Sequence, residues 1–209
     1  MHVAGLSIHG GLAQGSRIGA LTRGEERVRG AEILLLLGTG MVAALASAFL
    51  DMGLRIPGHA ILRAVFPMAF GLAAVPRRFA GSVMGVGAVA SAIALKAGGS
   101  GALGMGATTS LILTGPLLDL ALWRAQRGWR LYLGFALAGL ASNLAALAVR
   151  GGVKVGGLDR LGGRPLADWW PVATGTYALC GILAGLVSAL VWFHLSADRP
   201  RSRGSEAQA

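Results

Sequence analysis

The sequence predicts an all-α integral membrane protein: a six-helix transmembrane bundle with both termini in the cytoplasm. Three observations predict it. Hydrophobic residues make up 54 % of the 209 residues and charged residues only 13 %, where a soluble domain carries about 25 %. The apolar residues gather in six runs, each near the roughly 20 residues that a helix needs to cross the hydrocarbon core. The basic residues, 19 Lys+Arg against 9 Asp+Glu for a net charge of +10, fall mostly between those runs. Mean hydropathy is +0.63. This balance excludes a disordered chain. The 34 glycines follow no triplet period, which excludes collagen. A β-barrel needs many segments of about 10 residues with alternating polarity, and the chain has none.

Residues 1–30 are polar and Gly-rich, and read as a flexible cytosolic tail without a signal-peptide core. Residues 31–195 form the transmembrane domain. Run one covers 31–50 and is continuously apolar after Glu32. Run two covers 58–75, interrupted by Arg63 and Pro67. Run three, 79–97, is rich in Gly and Ala, which suits a helix inside a bundle. Run four, 102–123, contains Pro116 and Asp119. Runs five and six cover 131–149 and 169–195. Residues 196–209 form a charged cytosolic tail.

Six crossings place both termini on one side. That side carries Arg17, Arg23, Arg27, Arg29, Arg77, Arg78, Arg124, Arg127, Arg130, Arg199, Arg201 and Arg203. The other side carries Arg55, Lys96, Arg150, Lys154, Arg160 and Arg164, half as many. The excess puts the termini in the cytoplasm. Trp123, Trp129, Trp169 and Trp170 then fall at run ends, as interfacial anchors do. Basic residues so placed face anionic lipid rather than nucleic acid. The single cysteine, Cys180, sits inside run six, so neither an intrachain disulfide nor a Cys-rich metal site is expected. Of the outer connections, 150–168 is the longest and could cap a cavity.

Small residues recur at four-residue spacing: Ala44 and Ala48 in run one, Gly81 and Gly85 in run three, Gly181 and Gly185 in run six. Such pairs allow close helix approach, either inside the bundle or towards a membrane partner. Ionisable and polar residues at membrane depth are costly and mark candidate sites. Asp51, Arg55, His59 and Arg63 surround the turn at Pro57 and Gly58. His59 and Arg63 share a helical face. They form an anion- or ligand-binding patch, or Asp51 and Arg55 pair to seal the turn. Thr108, Thr109, Ser110 and Thr114 precede Pro116 in run four, where Asp119 is a structural partner of Arg124 or of a neighbouring helix, or else a ligand. Asn143, Trp170, Thr174, Thr176 and Tyr177 offer amide, hydroxyl and aromatic groups suited to a small polar metabolite, or to interhelical hydrogen bonds.

No signature of a zinc hydrolase, serine hydrolase or phosphate-binding loop is present, so no enzyme activity, metal or cofactor is expected.

Six helices in about 200 residues, cytosolic termini, the Ala44/Ala48 pair in helix one and the Thr-Gly-Pro-Leu-Leu-Asp stretch ending at Asp119 resemble the substrate-binding S components of energy-coupling factor transporters. The resemblance covers about residues 31–195. It implies capture of a vitamin or similar micronutrient near the extracellular side of a bacterial or archaeal cytoplasmic membrane. It implies a membrane coupling subunit, contacted through Ala44 and Ala48, and two cytosolic ATPases. The ligand set expected from polarity and depth is Arg55, His59, Arg63, Thr108, Asn143, Trp170, Thr174 and Tyr177. Asp51, Asp119 and Arg124 are structural or coupling residues. A nickel- or cobalt-transporting branch opens with Met-His, as this chain does, but continues with Ile-Pro where Val3 and Ala4 stand here. Two other functions compete: a self-sufficient secondary transporter or channel, and a ligand-free membrane scaffold.

Overall fold

A computed structural model of the protein describes residues 30–50, 58–99, 103–123, 129–156 and 166–195. Six α-helices run through them: α1 (Gly30–Phe49), α2 (Ala60–Ala74), α3 (Ala80–Ala97), α4 (Met105–Leu122), α5 (Trp129–Val155) and α6 (Leu166–Ala189). A π-helical turn, Leu190–Leu195, continues α6. No strand occurs among the described residues. Five helices are long and apolar enough to cross a membrane, and α2 is shorter.

The helices form a ring in the order α1, α3, α4, α5, α6, α2. α2 also touches α3, α4 and α5, so it meets every other helix. Its burial explains why. Ile61, Ala64, Val65, Met68, Ala69, Leu72 and Ala73 are all inside the core. The other five helices instead show large apolar side chains outward, among them Leu34 on α1, Ile93 on α3, Leu120 on α4, Leu137 on α5 and Leu179 on α6. A shell of apolar side chains on these five helices is what a bilayer solvates and water does not. α2 contributes no large exposed hydrophobic residue to that shell.

α2 runs antiparallel to α1 and meets it at both ends. At one end Arg63 donates to the Leu50 carbonyl, just past the last turn of α1. At the other, Arg77 pairs with Glu32 in the first turn of α1 at 3.2 Å. Fifteen residues of helix span only about 22 Å. The segment after Ala74 and the long arginine side chains complete the reach. Pro76 bends that segment in a three-residue turn closed by Arg77 N–H on Val75 O at 2.8 Å. Run two of the sequence is thus a shorter helix than its apolar stretch, seated inside the bundle.

The bundle therefore has two ends. α1 ends, α2 begins, α3 ends, α4 begins, α5 ends and α6 begins at what we term the upper end. The first residues of α1 and the last of α6 share the lower end. α5 has 27 residues and spans about 40 Å, beyond the hydrocarbon thickness. The sequence placed its end at Val149, but the helix continues through Gly151 and Gly152 to Val155. α6 begins at Leu166 rather than Trp169. What reads as one long outer connection is partly helical. Helix was not expected there because Gly and Lys interrupt the apolar pattern, yet Trp170 covers Gly151 and holds the two helices together.

Glycines set the helix spacing. A Cβ on Gly40 would lie 2.0 Å from Met84 O of α3, and one on Gly87 2.5 Å from Leu37 O of α1. Gly81 and Gly115 face each other between α3 and α4 in the same way. Gly139 on α5 meets Gly181 on α6, and Gly185 meets the Phe135 carbonyl. Lipid supplies no hydrophobic drive between helices, so backbone contact of this closeness supplies packing. The small-residue pairs in runs three and six are spent inside the bundle.

Candidate functional site

Polar side chains gather in three places. At the upper end, Asn143 of α5 donates to Gly58 O, before α2, at 3.1 Å and to Tyr177 O of α6 at 2.7 Å. One amide thus fastens three parts of the chain. Gly58 has φ +88°, in the left-handed region that glycine tolerates. A Cβ there would also press on Asn143 and Tyr177. Tyr177 is buried, and its hydroxyl accepts from Arg150 Nη1 at 3.3 Å. One turn into α2, Arg63 Nη2 lies 3.3 Å from His59 Nε2. Arg63 turns towards the helix N-terminus, the direction in which helical side chains lean. Its Nε is buried and has no acceptor. Lys154 stands 4.9 Å over the Trp169 ring, level with the start of α6.

Of the expected ligand set, His59 and Arg63 meet each other at the start of α2, and Asn143 meets the backbone of Tyr177. Thr108 and Thr174 lie at the same end but spend their hydroxyls on their own helices, at Gly104 O and Trp170 O. Trp170 packs on Gly151. Arg150 was not among the expected ligands, because it reads as a loop residue until α5 is seen to continue past it. Arg55, Asp51 and Arg124 lie outside the described residues. Of the expected partner-contact pair, Ala44 is fully buried within the chain and Ala48 is partly exposed.

The middle of the bundle holds a second polar link. Thr114 Oγ1 and Ser142 Oγ are 2.8 Å apart, and both donate to Ser110 O. Hydroxyls that bond to helix carbonyls in this way join α4 to α5 without an exposed polar surface.

At the lower end, Asp119 of α4 accepts from Gly81 N at 2.9 Å, Ser82 N at 2.6 Å and Ser82 Oγ at 2.7 Å. These are the first amides of α3, which have no helical partner of their own. Asp119 is a helix cap supplied from a neighbouring helix, where a carboxylate also suits the helix dipole. Phe79, just before α3, has φ 65° and makes no side-chain cap. The guanidinium of Arg78 lies 4.1 Å above the Trp123 ring and 5.0 Å from Phe79. Arg78, Phe79, Asp119 and Trp123 line a cavity of about 20 Å³.

Among the described residues, no group of three or more His, Cys, Asp or Glu could hold a metal ion. Comparison with protein families, with curated proteins and with solved structures finds no match. The class the fold defines is therefore a multi-pass, all-α membrane protein.

Proposed function

We propose that this protein is the substrate-capture subunit of an importer of the energy-coupling factor type, and that it takes a vitamin or similar small micronutrient at the upper end of the bundle. One observation supports the reading above the others. Asn143 ties Gly58, which precedes the His59–Arg63 pair, to Tyr177, whose hydroxyl accepts from Arg150. Arg63 keeps a buried N–H donor unspent there, a position a ligand acceptor could satisfy. In this reading the upper end faces outward, both termini lie in the cytoplasm, and the membrane is the bacterial or archaeal cytoplasmic membrane. A membrane coupling subunit and two ATPases would drive release. Ala48, which keeps some surface, would contribute to the coupling contact.

The role of Asp119 argues against proton coupling through that residue, since its oxygens are engaged by α3. The test is native mass spectrometry of the detergent-purified chain, with identification of any small molecule released. The reading expects one vitamin-like compound in a one-to-one complex, weakened about tenfold or more by Arg63→Gln if one charged hydrogen bond is lost. Full-rate uptake by the chain alone in proteoliposomes, driven by an ion gradient, would contradict it.

A further inference from the structure

We propose that the lower end of the bundle binds the phosphate of an anionic phospholipid at Arg78, on the platform made by Trp123 and Phe79. Arg78 is a half-buried cation without a hydrogen-bonding partner. Its Nε is buried with no acceptor, and no described residue forms an ion pair with its guanidinium. The other arginines packed into the bundle differ. Arg77 pairs with Glu32, Arg63 donates to Leu50 O, and Arg150 donates to Tyr177.

Asp119 lines the same cavity as Arg78. Its carboxylate oxygens accept three bonds from Gly81 and Ser82 and form no ion pair with Arg78. The guanidinium thus lies over the Trp123 ring and beside Phe79 with its donor fork unspent, and such a fork can receive two oxygens of a phosphate. A cavity of about 20 Å³ admits phosphate oxygens but not a whole metabolite.

The surroundings identify the rest of the ligand. Phe79 is 53 % exposed, Trp123 48 % and Leu120 69 %. These are apolar surfaces beside a cation at a helix end, where headgroup meets acyl chain. Basic pockets at such a level between membrane helices select anionic headgroups. A free anion would gain nothing from the aromatic and aliphatic surround. The proposal stands independently of the capture reading.

The experiment is native mass spectrometry of the full chain in non-ionic detergent, titrated with phosphatidylglycerol, phosphatidylcholine or inorganic phosphate. Phosphatidylglycerol should be retained over phosphatidylcholine about tenfold, the scale of one charge-assisted contact. Arg78→Gln and Trp123→Leu should each remove that preference. Arg130→Gln, at an exposed position on the same end, should keep it. Equal retention of the two lipids by the unaltered chain would overturn the proposal, a result that needs no variant to fold. So would an undiminished preference in Arg78→Gln, or displacement of phosphatidylglycerol by millimolar inorganic phosphate.

Discussion

Asp119 is 37 positions from the serine it binds. The sequence offers two structural partners for it, Arg124 one turn on or a neighbouring helix, and the structure gives the neighbouring helix. A cap delivered across the bundle leaves no spacing to read. The polar weight of the position was legible, as was a neighbouring helix among its possible partners, but not the residues Gly81 and Ser82. Removing the carboxylate strips acceptors from two backbone amides and one hydroxyl. Asp119→Ala should lower stability by about 1–3 kcal/mol, read as an earlier thermal transition in detergent. Asp119→Asn, which keeps one acceptor oxygen, should lose less. If Asp119→Asn instead melted unchanged while uptake became insensitive to the proton gradient, Asp119 would be a proton carrier and not a cap. Phe79 adds a second local lesson. Nothing in its composition announces a left-handed backbone, which for a non-glycine costs about 1 kcal/mol or more.

At the scale of helices, six apolar runs became six helices; four of them begin and end within three residues of the run, and α5 and α6 begin within three. The glycines explain both the success and the misses. Gly40, Gly81, Gly87, Gly115, Gly139, Gly181 and Gly185 lie where a Cβ would strike the facing backbone. The four-residue spacing of Gly81 with Gly85 and of Gly181 with Gly185 was visible, but whether these pairs served this bundle or a partner was not, because spacing carries no direction; Gly40, Gly87, Gly115 and Gly139 stand in no such glycine pair. Gly139→Ala should force α5 from α6, since the new Cβ would sit 2.3 Å from Gly181 O. A loss of about 2 kcal/mol or more is expected, within the range for overpacked cores. Gly38→Ala meets nothing within 4 Å and should be neutral or stabilising by up to about 1 kcal/mol. Thermal unfolding of the two variants side by side checks the pair. Comparable losses at both sites would show that intrinsic helix preference, rather than close approach, governs these positions.

At the scale of the whole molecule, the short α2 decides the topology. Counted by length alone it is not a span, and five crossings would put the two ends of the chain on opposite sides. Its contacts say otherwise, since Arg63 touches the end of α1 and Arg77 its beginning. A helix enclosed by longer ones has no hydrocarbon to match and can be short. The candidate site at the upper end and the lipid site at the lower end both rest on this crossing. The most direct measurement is sided labelling of two single-cysteine variants in a Cys180→Ala background, Leu50→Cys before α2 and Phe79→Cys after it. A membrane-impermeant maleimide applied to intact cells should label Leu50→Cys and leave Phe79→Cys untouched until the membrane is opened. Labelling of both positions from the same side would mean that α2 enters and leaves by one face, and would contradict the six-crossing bundle.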